Sequence, residues 1–295
     1  MGRQKPWFSI IIPVFNEEKV IKKVIQEIKT VLRQQKIKAE IITVNDGSTD
    51  TSGKVLQKIK GIKIINHSRN QGYGASVKTG VLKAKNENII IIDGDGTYSP
   101  QDIPLLIKNF ADQDMIVGAR TGKKIQEPFS RKIMKKILIL LANYLINEKI
   151  PDLNSGLRLF KKEQFNRFLH LLPSGFSCTS TLTLSFLAHD LSVKFIPINY
   201  HHRVGKSKIK PIRDTINFTS LILTTILYFN PLKFFVPLSL VFFFSSFLIG
   251  TYSFFFLPKF MDVSTVILFF AGFQILSIGI LADLISKGNA KLDQS

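Results

Sequence analysis

Residues Phe8–Asp50 read FSIIIPVFNEEKVIKKVIQEIKTVLRQQKIKAEIITVNDGSTD, and the fold turns on this stretch. Phe8–Val14 (FSIIIPV) is an apolar run of strand length without regular polar alternation, as expected of a strand covered on both faces. Beyond Asn16-Glu17-Glu18, apolar residues recur at helical spacing: Val20, Ile21, Val24, Ile25, Ile28, Val31 and Leu32. That periodicity predicts a helix from Glu17 to about Gln35. Glu40–Val44 (EIITV) reads as a second buried strand. Two strands joined through a helix pair in parallel, because a tight hairpin reverses the chain and only a long crossover preserves its direction.

The same unit repeats outward. Asp50–Ile59 reads as a helix capped by Ser48 or Asp50, Ile62–Asn66 as a strand, Gly74–Ala84 as a helix and Asn88–Ile92 as a fourth strand. The alternation predicts a Rossmann-like α/β domain over residues 1–205, a mostly parallel sheet with helices on both faces. In a chain of 295 residues, 45% hydrophobic and 21% charged, disorder is excluded. The single cysteine, Cys178, excludes an intramolecular disulfide and a cysteine-based zinc site. The formal charge of +19 points to an anionic partner: nucleic acid, an acidic membrane surface or a phosphorylated substrate.

The apolar content is concentrated near the end. Phe234–Leu257 carries no charge, and Thr265–Ile285 carries only Asp283. Each approaches the ~20 residues that cross a hydrocarbon core. A pair of buried core helices is the alternative; length, adjacency and lack of charge favour a two-span hairpin over 234–286. Arg203, Lys206, Lys208, Lys210, Arg213 and Lys233 precede it, Lys287 and Lys291 follow it, and the connecting loop has Lys259 offset by Asp262. Positive charge on both outer flanks predicts that both ends, and with them the α/β domain, are cytoplasmic. The early SIIIPVF run is followed by Asn-Glu-Glu rather than a cleavage site, so no signal peptide is expected. Residues 206–233 read as a basic stretch and, over Thr215–Phe229, a helix lying along the headgroups or packed on the domain. Residues 287–295 form a cytoplasmic tail.

In open α/β sheets, ligands bind beyond the carboxyl ends of the strands. Four such ends carry polar sequence here: PVFNEE (13–18), VNDGSTD (44–50), NQGYG (70–74) and DGDGT (93–97). Any one is an ordinary turn; their succession suggests a shared site. Asp93 and Asp95 are close enough to repel unless a cation joins them, and hard oxygen donors suit Mg²⁺ or Mn²⁺ with substrate phosphates completing the shell. Gly94 and Gly96 allow close approach of a ligand to the backbone. No P-loop is present, and Gly72 and Gly74 do not extend to a dinucleotide fingerprint.

PVFNEE, VNDGSTD, NQGYGASVKTG and DGDGTYSP, in this order, resemble the family-two glycosyltransferases of the GT-A fold. DLNSGLRLF (152–160) and RVGKSK (203–208), followed by a membrane hairpin, are similar to the dolichol-phosphate mannose synthase group of polyprenyl-phosphate sugar transferases. The resemblance implies a donor set. Pro13, Phe15, Asn16 and Glu17 line the nucleoside pocket, Asp46 contacts the base, Ser48 shapes its loop, and Gly74 and Lys78 belong with them. It further implies that Asp93 and Asp95 hold the metal and the donor diphosphate. Position 45 is Asn where Asp is common, and Thr97 stands where the mannose synthases often have Gln. Gln164-Phe165-Asn166-Arg167-Phe168 differs from the Gln-x-x-Arg-Trp of processive polysaccharide synthases and reads as a surface helix of a non-processive enzyme.

The basic residues fall into two clusters, Arg120–Lys136 and Arg203–Arg213. Arginine meets phosphate with a planar fork, and lysines near a bilayer also attract anionic headgroups. By the resemblance, Arg120, Arg131 and Arg203 grip the lipid phosphate, with Ser207 and Lys208 nearby. Asp95, Arg120, Arg131, Asp152 and Arg203 form the expected catalytic set, with Asp152 in support of Arg158 or an acceptor-site arginine. A hydroxyl acceptor needs a general base, and His67, His170, His189, His201 and His202 offer no such arrangement. A phosphate monoester needs none. The expected activity is therefore inverting sugar transfer from a GDP- or UDP-sugar to dolichyl or undecaprenyl phosphate. Transfer to a hydroxyl of another lipid or glycan, with Asp152 as base, is the alternative. A nucleic-acid-binding anchor would leave the aspartates without purpose, so nucleic acid is not an expected partner. Moving the product across the bilayer calls for a flippase, and a homo-oligomer is the other candidate assembly.

Overall fold

Strand β1 (Phe8–Val14) pairs in parallel with β2 (Ala39–Asn45) on one side and β4 (Asn88–Ile91) on the other. The computed structural model describes residues 7–121, 143, 150–175, 177–201, 227, 230–258 and 262–292. The chain divides into two units, Met1–Thr219 and Ser220–Ser295. With β3 (Lys63–Asn66), β5 (Met115–Ala119), β6 (Arg158–Lys161) and β7 (Val193–Pro197), the first unit holds a seven-stranded sheet in the order β3-β2-β1-β4-β6-β5-β7. It is mostly parallel. The exception is β6, antiparallel to both β4 and β5.

Successive residues of β1 point to opposite faces, and each face is covered. Ile10, Ile12 and Val14 meet α1 (Ile21–Gln34), α2 (Ser52–Gln57) and α4 (Ile103–Lys108). Ile11 meets α3 (Tyr73–Leu82), α5 (Lys162–Arg167) and α6 (Cys178–Ala188). Helix α1 buries Ile21, Val24, Ile25, Ile28, Val31 and Leu32, the stripe its periodicity predicts. Each such side chain contributes roughly 1.5–3 kcal/mol relative to exposure. Helix α3 lies so close to β1 that a Cβ on Gly80 would sit 2.3 Å from Ile11 Cγ2. The Gln164–Phe168 stretch forms α5 and its end, with Phe165 buried and stacked on Phe160 at 5.3 Å.

The reversed strand has a consequence for chemistry. Arg158, its first residue, lies opposite Ile91 of β4 and Val117 of β5. The segment leading into β6, Asp152–Leu157, therefore arrives at the edge where the parallel strands deliver their carboxyl ends. Nothing in the local sequence of Arg158–Lys161 announces this reversal.

The second unit contains α7 (Leu232–Phe256) and α8 (Asp262–Leu292). Their apolar segments, Leu232–Phe256 and Val263–Gly288, are long and apolar enough to cross a membrane, with mean hydropathy 2.1 and 2.2. Small residues line their contact. Ser239, Ser246 and Ser253 are buried, Ser246 Oγ donates to the Thr265 carbonyl at 2.7 Å, and Gly279 lies against Phe235. Phe244, Phe247, Phe254, Phe255 and Phe270 point outward. Close packing by small residues with bulky apolar side chains outside suits a hairpin in lipid. Of the expected Thr215–Phe229 helix only Leu227 is described, as helical and exposed; the rest lies outside the described residues.

Candidate active site

The register sets the site. Val14 pairs with Asn45 and Asn45 with Asn66, so β1, β2 and β3 end level and release their loops at one edge. Strand β4 pairs only as far as Ile11, and the chain turns away there into Asp93–Thr97. The first two loops are stitched together. Asn16, in the left-handed region at φ +55, accepts from the Thr49 and Asp50 amides at 2.8 and 3.3 Å. Its own amide donates to Ser48 Oγ at 3.0 Å, and the Glu17 amide to Ser52 Oγ at 2.8 Å. Ser48 thus shapes this corner. Asp50 Oδ1 accepts from the amide of Ser52, the first residue of α2, at 2.8 Å.

Asp46 is tied into the chain around it. It is buried, its Oδ1 meets His67 Nδ1 at 2.7 Å and the Gln71 amide at 2.9 Å, and its Oδ2 takes the Gly72 amide at 2.9 Å. It clamps the loop before α3. Gly74 and Lys78 also turn to internal work. A Cβ on Gly74 would lie 2.2 Å from the Pro173 carbonyl oxygen, and Lys78 Nζ donates to the Leu172 carbonyl at 2.8 Å. Both fasten α3 to the 172–175 segment.

The paired aspartates are held from several directions. Asp95 Oδ1 accepts from the Thr97 hydroxyl at 2.6 Å and the Thr97 amide at 3.1 Å, a turn that Gly96 permits at φ +76. Asp93 Oδ1 accepts from Tyr73 Oη at 2.9 Å. On its other side lies Gly156, where a Cβ would stand 2.1–2.5 Å from the Asp93 carboxyl atoms. Asp93 lies deep in the domain while keeping part of its surface open. Burial, then the charge of Asp95, push its carboxyl up to about 7, against the Tyr73 hydrogen bond and the charges of Arg120 and Arg158.

Beside them stands a buried ion pair. Arg120 Nε meets Asp152 Oδ2 at 2.7 Å and its terminal NH2 meets Oδ1 at 2.8 Å, a two-pronged pair to which the Arg120 amide adds a third bond at 3.0 Å. Asp152 is 2% exposed. Burial acts to raise its carboxyl, but the hydrogen bonds and charge of Arg120 outweigh it and hold the group below the usual range. The Arg120 guanidinium lies over the Tyr200 ring at 5.3 Å, and Tyr200 meets Tyr98 edge-on at 5.3 Å. Asp152 thus supports Arg120 through direct hydrogen bonds. Arg131, Arg203, Ser207 and Lys208 lie outside the described residues.

Tyr73 belongs to the NQGYG strand end, whereas nothing in the local sequence singles out Tyr98 or Gly156. For Arg158 the available signal was a charge followed by Leu159 and Phe160 in a core strand.

The profile of the family described as "Glycosyl transferase family 2" matches residues 9–169, more than half of the chain. The chain belongs to this glycosyl transferase family. A second profile, "GtrB C-terminal hairpin", matches residues 230–287 and covers both long apolar helices, so the protein is a membrane protein with two spans. A low-salt glycan biosynthesis hexosyltransferase of Haloferax volcanii is 26% identical over 71% of this chain and 51% of its own length. A dolichyl-phosphate beta-glucosyltransferase of Trichomonas vaginalis is 31% identical over 53% of this chain and 54% of its own. The chain thus spans about half the length of these two relatives. An undecaprenyl-phosphate 4-deoxy-4-formamido-L-arabinose transferase of Pectobacterium carotovorum is 27% identical over 82% of this chain and 73% of its own. Among solved structures, glucosyl-3-phosphoglycerate synthase of Mycobacterium tuberculosis, crystallised with Mn²⁺, uridine diphosphate and phosphoglyceric acid, superposes with a TM-score of 0.59. The match covers 75% of this chain and 78% of that one at 17% identity, a likeness of fold.

Proposed function

We propose that this protein is an inverting glycosyltransferase that moves a sugar from a GDP- or UDP-linked donor to the phosphate of a dolichyl or undecaprenyl lipid. The Arg120–Asp152 pair carries the reading. A hydroxyl acceptor needs a base. Asp152, the acid suspected of that role, has both oxygens engaged by Arg120 and a depressed pKa, which makes it a poor proton acceptor. A phosphate monoester, with a second pKa of about 6, is already largely dianionic at neutral pH. It suits a guanidinium held rigid by a carboxylate and an aromatic face. The acceptors named for the Trichomonas and Pectobacterium relatives support the same class.

The Asp93–Asp95 turn fits a divalent ion, Mg²⁺ or Mn²⁺. Its carboxylates are hard donors, and burial together with Asp95 makes ionisation of Asp93 unfavourable until a cation arrives. Among the described residues no group of three or more His, Cys, Asp or Glu could hold a metal, which leaves most of the coordination shell to donor phosphates and water. When bound, the ion offsets charge on the departing nucleoside diphosphate. Tyr73 and Thr97 hold the carboxylates that receive it. Arg120 orients the lipid phosphate for in-line attack on the anomeric carbon. Arg131, Arg203, Ser207 and Lys208 complete the grip on that phosphate. The catalytic unit is cytoplasmic, in keeping with the basic flanks of the hairpin. A flippase then carries the product across the bilayer.

The test is an assay of the full chain in membranes with polyprenyl phosphate, Mn²⁺ or Mg²⁺ and a panel of nucleotide sugars. A metal-dependent lipid product cleaved by mild acid is expected, since a glycosyl phosphate is acid-labile. An acid-stable product reassigns the acceptor to a hydroxyl. No product from any donor overturns the reading.

A further inference from the structure

We propose that Tyr73 and Arg158 are positioning residues for the Asp93 carboxylate, one through its hydroxyl and the other through the Ser155–Gly156 backbone against which that carboxylate packs. The inference rests on the reading that Asp93 receives a divalent ion.

Arg158 is fully buried. Its Nε donates to the Ser155 carbonyl at 3.1 Å and its NH2 to the same oxygen, while NH1 reaches the Thr179 carbonyl at 2.8 Å and Thr183 Oγ1 at 3.1 Å. Every one of these acceptors is neutral. A cation buried among neutral hydrogen-bond acceptors is costly, and an apolar side chain of similar volume is often at least as stable in such a place. Packing alone therefore does not account for an arginine. What the guanidinium does is draw the Ser155 carbonyl back onto its own strand and tie it to α6.

That tie fixes the next residue. The Ser155 hydroxyl donates to the Gly118 carbonyl at 2.5 Å, and the Gly156 amide donates to Tyr98 Oη at 2.7 Å. The turn is thus held from three sides, and Gly156 presents its bare Cα to the Asp93 carboxyl. The second restraint comes from α3. Tyr73 opens that helix after Gly72, which sits at φ +103, and aims its hydroxyl at Asp93 Oδ1. The same helix start is pinned where the Ala75 amide donates to the Ser174 carbonyl at 3.1 Å and Gly74 packs on Cys178 Cβ. Both restraints lead to the amino end of α6. Together they fix the position and the rotation of one carboxylate. Ion affinity is sensitive to such fixing, because loss of an outer partner typically costs about 10–100-fold.

The test titrates Mn²⁺ into the full chain in detergent with uridine or guanosine diphosphate present, and follows the free-ion paramagnetic resonance signal. Tyr73→Phe keeps the ring and removes the hydrogen bond to Asp93. Arg158→Lys keeps the charge and loses the fork. Each is expected to weaken Mn²⁺ binding about tenfold. The donor KM should rise in step, while the metal-free melting temperature of Tyr73→Phe stays near wild type. A purely structural role would move the melting temperature and spare the Mn²⁺ affinity. Each residue is judged by its own variant: binding within twofold of wild type overturns its role. If Arg158→Lys does not fold, Gly156→Ala judges that arm by the same criterion. Wild-type protein that binds no Mn²⁺ with either nucleotide overturns the metal reading and this inference together, whereas equal binding by wild type and variants overturns this inference alone.

Discussion

Asp93 and Asp152 lie at the same edge of one sheet, the first half-buried and the second fully so, and burial pushes both carboxyls upward. They end on opposite sides of the ordinary carboxylate range. Asp93 has a second aspartate two residues away and, among the described residues, a single hydrogen-bond donor, the Tyr73 phenol; burial and Asp95 outweigh that bond and the more distant arginine charges, so it rises to about 7. Asp152 has the fork of Arg120 and two backbone amides, so it falls below the usual value. The neighbours, not the burial, decide what each can do. Asp93 has no hydrogen-bonded cation among the described residues and is suited to receive one. Asp152 already has one and is suited to hold an arginine still.

The hardest blow to this contrast is to remove the charges on the first side. Replacing Asp93 and Asp95 together by asparagine is expected to lower glycosyl transfer to lipid on the order of 10³-fold, the scale of losing stabilisation at a developing anion. The metal-free fold should survive, since the change relieves like-charge repulsion. Radiolabelled sugar transfer and circular dichroism read the two halves. Undiminished transfer in the presence of a chelator would falsify the metal-side assignment.

On the second side the loss should be structural as well. Asp152→Asn leaves Arg120 without its carboxylate, and breaking a buried pair costs about 3–5 kcal/mol. Denaturant unfolding measures that loss. A variant carrying both Arg120→Met and Asp152→Leu should recover much of the stability and none of the transfer. Recovery of activity in that variant would remove Arg120 from the acceptor site.

pH separates the two carboxylates by sign. Asp93 has a folded pKa raised from 3.8 to about 7, so the native state keeps a proton that the unfolded chain releases. Its contribution to metal-free stability is present below the unfolded value and is lost as pH rises toward 7. Asp152 behaves in reverse: its contribution is present above the unfolded value and is lost as pH falls through its depressed folded pKa. Melting curves without metal should therefore show a falling limb between pH 4 and 7 that Asp93→Asn flattens, and an acid limb below about pH 4 that Asp152→Asn flattens. Mn²⁺ affinity should climb as pH passes 7, where Asp93 loses its proton. Identical slopes in wild type and Asp93→Asn would break the comparison.

Much of this was legible in the residues, and the boundary has physical causes. Strand β1 and the stripe on α1 follow from apolar periodicity, which is local and needs no knowledge of partners. The paired aspartates announce themselves because like charges two residues apart demand an explanation. The reversal of β6 was hidden, since Arg158–Lys161 carries no sign of strand direction, and with it the approach of Gly156 to Asp93. Asp46 illustrates another limit. A motif position fixes which residue stands at the strand end, but not whether its oxygens turn to a ligand or to the chain's own amides, and here they turn inward.

Lys78 sharpens the same point with the smallest effect. Its ammonium donates to the Leu172 carbonyl and so joins two segments of the fold. Lys78→Met removes one hydrogen bond to a partly buried charged group and keeps most of the packing. Stability should fall by about 1.5–3 kcal/mol, the usual worth of such a bond, less what the retained side chain returns. The donor KM should stay within twofold, because the carboxylates and the arginine pair remain in place. A rise well beyond that with unchanged stability would return Lys78 to the nucleotide and count against its role as a tie within the fold.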